Sequence, residues 1–284
     1  MTATRSAGLA LVVASMLCWA SSSTAYIALP KESLAQKVAF ADCVVLGKIT
    51  AIQDKPVQGK GEMRGWDFTI FDVEIKDSLY GAKDKKQVRF GLPNIDKQGA
   101  KPAKPRLTVG QIGYFCGLRD GKNDFYIVPA GCSGAEKDPG FEKDLTAVRR
   151  LGRLLEHSEE GLKSADVEDC LLTAYMLVLR NCYAPWRRGM VGKAEPIDAA
   201  QSKRILLALA EGDWKKNRRE VRGAVAALRL SVKFGAPPLK DFPPEAGEEQ
   251  WVAAAKQWLK QNAETYRIHQ LWIDGKKGPT FKSP

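Results

Sequence analysis

The sequence predicts an α+β chain: a small five-stranded β-barrel, closed or nearly closed, followed by an α-helical domain. Two observations carry this. Between Ala41 and Ala130 the apolar residues come in five short runs rich in Val, Ile, Phe, Tyr and Thr, and after Cys132 the apolar spacing changes to steps of three and four. The chain has 284 residues, 44% hydrophobic and 27% charged, enough for one large domain or two ordinary ones.

Residues 1–25 read as a secretory signal, with Arg5, the apolar run Ala7 to Ala20 and the small polar stretch SSSTA. The apolar run is shorter than a membrane span. Cleavage is expected near Ala25, so the mature chain begins at Tyr26, carries no transmembrane segment and is secreted or periplasmic. Residues 26–135 are assigned to the strand-rich domain, 136–273 to the helical domain and 274–284 to a mobile tail.

Ser33 is positioned as the N-cap of a short helix over SLAQKVAFAD (33–42). The strands follow: CVVLGKITAI (43–52), WDFTIFDVEI (66–75), QVRFGL (87–92), IGYFCGL (112–118) and DFYIVPA (124–130). In the second, the double apolar step Ile70-Phe71 predicts a bulge or a strand covered on both faces. Five short strands at this spacing suit a small barrel.

Asp138-Pro139 starts the first long helix, in which Phe141, Leu145, Val148, Leu151 and Leu155 share a face. A second helix is expected from Ser164 to about Leu179. A third begins at the Asp198 cap, a fourth spans Arg219 to Val232, and a fifth spans Glu245 to Tyr266. The prolines of FGAPPLKDFPP (234–244) mark a surface connection.

Catalytic signatures are sparse. The two histidines, His157 and His269, each fall near the end of a predicted helix, and no Cys-x-x-Cys or His-Glu-x-x-His spacing occurs. No cofactor or metal is expected. Gly131-Cys132-Ser133-Gly134 lacks the spacing of a nucleophile elbow and reads as a structural turn. An enzyme whose site forms only in three dimensions, in a cleft between barrel and helices and holding Cys132 or close carboxylates, is the rival expectation.

Charge gives the positive signal. Lys plus Arg number 44 against 33 acidic residues, a formal charge of +11 spread over both halves. Lys55, Lys60 and Arg64 lie in the first long strand connection, and Lys97, Lys101, Lys104 and Arg106 in another. With alternating strand directions these connections emerge at one end of the sheet, and the seven cations form a rim suited to an anionic polysaccharide, an envelope surface or an acidic protein. Nucleic acid is disfavoured, because an exported chain rarely meets it and no aromatic pattern for base stacking interleaves the cations. A second basic segment, Lys215 to Arg222, sits at a helix start, where it opposes the helix dipole and points to a partner or an acidic neighbour.

Five cysteines follow the signal segment, an odd number. Cys170 and Cys182 are too far apart along one helix to bridge, at roughly 18 Å. Cys43 and Cys116 read as buried thiols within strands.

The order ADCVVLGKITAI, FDVEIKDSLYG, LTVGQIGYFCGL and DFYIVPAG resembles exported proteins whose N-terminal region is an OB-like barrel of the netrin or metalloprotease-inhibitor kind. The continuation, with LLTAYMLVLR and EPIDAAQSKRILLALAEGDW, resembles uncharacterised exported planctomycete-type proteins. Tissue metalloprotease inhibitors chelate zinc through a cysteine at the mature N-terminus; here Tyr26 stands there, so the resemblance carries architecture and no inhibitory activity. It also implies pairing of the first and fourth strands, which would bring Cys43 near Cys116 for a disulfide.

Overall fold

The computed structural model describes residues 33–60, 63–94, 107–119, 123–129, 131–182, 191–244 and 248–273. The expected signal segment, residues 1–25, and the expected tail, residues 274–284, fall outside them.

Ser33 accepts the Gln36 N–H at 3.3 Å and starts α1 (Leu34–Phe40), which feeds directly into β1 (Cys43–Ile52). β2 (Val57–Gln58) precedes the long β3 (Asp67–Tyr80), and β4 (Gln87–Pro93) returns beside it. The β3–β4 turn passes Gly81, whose φ of +70° suits glycine and where a Cβ would strike the Asp42 carbonyl. β5 (Ile112–Arg119), β6 (Tyr126–Ile127) and β7 (Ser133–Ala135) complete this half.

Hydrogen-bonded neighbours run β1-β3-β4-β6-β5 and back to β1, so the sheet closes on itself as a ring of five strands. All pairs in the ring are antiparallel except β4–β6, which is parallel. β2 extends from β3, and β7 from β5.

Register explains the filling. Phe71 faces Phe90, Val73 faces Val88 and Ile49, and Val45 faces Phe115, so these side chains point to one side of the ring. Phe71, Phe90 and Phe115 meet there from three strands, with centroids 5.4 to 5.7 Å apart. The step to Ile70 reverses the face, and Ile70 joins Phe68, Phe125 and Ile127 in a separate outer cluster under Val57, Met63 and Trp66. The double apolar step thus marks a strand covered on both faces, with a register shift between Ile49 and Ala51 of its partner. The run 124–130 contributes less strand than its composition suggested: ladder pairing covers Tyr126–Ile127, with one further bond from Val128 N–H to the Gly91 carbonyl.

After Ala135, Asp138 accepts the Ala135 N–H at 2.8 Å and helix α2 (Phe141–Glu156) begins. A short α3 (Ser158–Gly161) leads to α4 (Val167–Cys182). Helix α4 is buried along most of its length, from Leu171 to Cys182. Around it pack α1, α2, α5 (Ala199–Glu211, capped by Asp198 at 2.9 Å) and α6 (Arg218–Ser231). Helix α7 (Glu248–Gln261) lies on α5.

The expected last helix is shorter than its spacing implied. It stops at Gln261, and His269–Ile273 forms strand β9, paired antiparallel with β8 (Val191–Pro196). His269 therefore lies in a strand, with its ring Nδ1 2.8 Å from the Arg267 carbonyl. The proline-rich connection is pinned: Trp258 Nε1 donates to the Lys240 carbonyl at 2.7 Å and Arg229 to that of Pro243 at 3.1 Å.

The two halves share one core. A continuous cluster of buried side chains runs from Val45, Phe71 and Phe115 through Val38 and Ala39 to Leu171, Leu206 and Leu228. Helix α2 crosses the end of β3, where Gly152 lies against the Leu79 backbone too closely for a Cβ.

Candidate functional site

Strands β1 and β4 are both antiparallel to β3, so their exits lie at the same end of the ring. The connection 53–66 leaves there, and so does 94–111. Asn94 N–H donates to the Asp67 carbonyl at 2.8 Å, and Gly110 and Gln111 bond back to Ile49 on β1.

The first connection is built on a firm base. Val57–Gln58 pairs with Phe68–Asp67, and Gly59 N–H donates to the Trp66 carbonyl at 2.8 Å. Lys60 N–H donates to Asn123 Oδ1 at 3.0 Å, tying this loop to the one before β6. Lys55, Lys60 and Arg64 are all exposed, and among the described residues none of them pairs with a carboxylate. Two other basic groups are engaged: Arg89 on β4 bonds Asp72 at 3.1 Å and reaches Asp124, and Lys85 in the β3–β4 turn donates to the Tyr126 hydroxyl at 2.9 Å. Lys97, Lys101, Lys104 and Arg106 lie outside the described residues.

The second basic segment has an acidic neighbour. Lys216 reaches Glu168 on α4 at 2.5 Å, and Asp213 accepts the backbone N–H groups of Lys215 and Lys216. Glu168 also faces Arg150, which bonds Asp169 at 2.6 Å. This network supplies the countercharge that the helix start lacks.

The cysteines fall into a pattern that the spacing hid. Strand β1 does pair with β5, the first and fourth of the five ring strands, but Val44 stands opposite Cys116 and Cys43 opposite Gly117. Successive side chains alternate faces, so Cys43 and Cys116 project to opposite sides of the strand pair, and both thiols are free. Facing Cys116 is Cys132. The β5–β7 register Gly113↔Ala135, Tyr114↔Gly134, Phe115↔Ser133 extends to this pair, and Cys116 N–H donates to the Cys132 carbonyl at 2.9 Å.

Cys132 N–H closes a turn onto the Pro129 carbonyl at 3.0 Å, with Gly131 at φ +76°, so the Gly-Cys-Ser-Gly segment is a structural turn that delivers Cys132 to the edge of β5. Helix α1 lies above, and the Lys37 ammonium donates to the Gly131 carbonyl. Lys37, Phe40, Leu118 and Pro129 close a small cleft around the two thiols, with room for about one water. Burial, reinforced by Cys132, pushes the Cys116 thiol well above its ordinary range, against a smaller opposing effect of Lys37. A thiol so held is protonated and a poor nucleophile.

The junction between the halves is likewise occupied by structure. Arg180, in the last turn of α4, donates to the carbonyls of Ala39 and Ala41 at 3.0 and 2.7 Å, stands 3.6 Å from Asp42 and lies over the Tyr80 ring. Among the described residues, no group of three or more His, Cys, Asp or Glu side chains could hold a metal, and no helix is long and apolar enough to cross a membrane.

No protein-family model matches the chain, and no curated protein matches it.

Proposed function

We propose that the protein is an exported, non-catalytic binding module, in which an OB-like β-barrel presents a basic loop rim to an anionic partner. An acidic polysaccharide is the first choice of partner, with an envelope surface or an acidic protein as the other outcomes. The carrying observation is that Lys55, Lys60 and Arg64 stand exposed and, among the described residues, without carboxylate partners on a braced loop, at the end of the ring where the second lysine-rich connection also leaves. The OB-like reading draws on the closed neighbour order and the pairing of first and fourth strands. A braced loop loses little conformational freedom on binding, which favours a surface of this kind.

The test is retention of the protein on a sulfated-polysaccharide column with a salt gradient. At about 0.5 kcal/mol for each exposed ion pair, Lys55→Ala, Lys60→Ala and Arg64→Ala together lower affinity roughly tenfold and move elution to lower salt. A control triple, Lys83→Ala, Arg149→Ala and Lys203→Ala, removes equal charge from positions already paired with Glu156, Asp77 and Glu264. Unchanged retention of the rim triple, or an equal shift in the control, refutes the proposal.

A further inference from the structure

We infer that Cys116 and Cys132 are a disulfide-forming pair that staples β5 to the turn before β7 under oxidising conditions. The two residues stand directly opposite on antiparallel neighbours, joined by the 2.9 Å bond from Cys116 N–H to the Cys132 carbonyl. Opposed residues on such strands have Cα atoms roughly 4.5–5.5 Å apart, inside the window of about 4.4–6.8 Å that a disulfide spans. Their side chains leave the same face, and both line one cleft under α1.

Among the described residues, the other cysteines lack such a partner. Cys43 projects to the opposite face of β1–β5. Cys170 and Cys182 sit at the two ends of α4, and their thiols point to the Ser164 and His269 carbonyls. The five described cysteines then resolve into one bridge and three thiols.

The oxidant is a disulfide, either a small one such as oxidised glutathione or a protein thiol oxidase. One cysteine, as thiolate, attacks a sulfur of the oxidant; the oxidant's S–S bond breaks, a mixed disulfide forms and one thiol leaves. The second cysteine then attacks the protein sulfur of that mixed disulfide, the protein S–S bond forms and the second thiol leaves. Two electrons and two protons pass to the oxidant. Because both side chains are 2 to 3% exposed, the exchange is fast while the chain folds and slow once α1 has closed over the pair.

The protein is refolded from denaturant with a reduced and oxidised glutathione couple, its remaining thiols are alkylated, and the digest is mapped by mass spectrometry without reduction. The expected result is one linked peptide joining Cys116 to Cys132, two hydrogens lighter than the reduced pair, with Cys43, Cys170 and Cys182 alkylated. The oxidised protein melts roughly 5–10 °C above the reduced one, as expected for closing a loop of this length. A map in which all five cysteines are alkylated, or in which Cys116 is linked to Cys43, overturns the inference. The mapping uses the unaltered chain, so it does not depend on a variant that folds.

Discussion

Arg180 offers the sharpest test of how the strand ring and the helices are joined. Its side chain is 4% exposed, and it satisfies two carbonyls at the end of α1, Ala39 and Ala41, while its charge faces Asp42. Arg180→Met keeps much of the volume and removes both donors and the charge. Breaking one side of a buried ion pair costs about 3–5 kcal/mol, and hydrogen bonds from a charged donor about 1.5–3 kcal/mol each. Asp42 keeps the Arg119 N–H at 2.8 Å, which places the expected loss near the lower end, about 3 kcal/mol. Urea unfolding reads this as a lower midpoint with an unchanged slope, and the melting temperature falls by roughly 6–12 °C. Asp42→Asn in the Arg180→Met background costs less than it does alone, with a coupling of about 1–2 kcal/mol. A loss under about 1 kcal/mol with the same slope would mean that water replaces the guanidinium, and the joint described here would not depend on it.

Alkaline pH is a second probe. Burial pushes the thiols of Cys43 and Cys182 up to about 12, while in the unfolded chain they titrate at the ordinary thiol value near 9. The native state therefore holds protons that the unfolded state releases, and stability, intact below pH 9, falls as pH rises from about 9 to 12. At pH 10 the loss is roughly 1.4 kcal/mol per thiol, and Cys43→Ala flattens the slope of urea stability against pH by that share; an unchanged slope would contradict burial of this thiol. Gly47→Ala brings a Cβ to 2.5 Å from the Glu74 carbonyl and into Val73 inside the ring, so a loss of about 2–3 kcal/mol in urea unfolding is expected. Phe115→Ala removes one of three rings packed together there and costs about 3–5 kcal/mol by the same measurement.

The parts of the fold that were legible in the sequence are those with a local cause. The Ser33 and Asp198 caps and the 3–4 spacing of α2, α4, α5 and α6 act within a few residues, so they are written in contiguous sequence. Strands β1, β4 and β5 were equally plain from their apolar and β-branched content. Strand β7 is three residues, Ser-Gly-Ala, with no pattern of its own; it is a strand because the edge of β5 has free backbone groups to fill. Strand β9 follows Trp258, Leu259, Ala263 and Tyr266, whose spacing continues a helical face, so the change of period was masked until β8 supplied a partner. The thiol pair was hidden for the same reason. Its partners are sixteen positions apart, and only the β5–β7 register brings them opposite, whereas the Cys43–Cys116 pairing implied by the family resemblance missed by a single residue and therefore by a whole face.

That geometry also separates the proposed binding surface from the joint that sets stability. Asp42, Arg180 and the contact of Gly152 with Leu79 cluster where β1 begins and β3 ends, because Val44 pairs with Tyr80. The loop carrying Lys55, Lys60 and Arg64 leaves from the other end of β1, ten residues and about 30 Å away. Exposed charges at that distance are screened from the joint by ordinary salt, since the Debye length is about 8 Å. The rim triple should therefore lose retention with its urea midpoint intact, and Arg180→Met should lose stability while its folded fraction retains the polysaccharide as before. If either variant moved both readings together, the ends of the ring would be coupled through the Phe71, Phe90 and Phe115 cluster, and the rim could no longer be treated as a surface added to an independent scaffold.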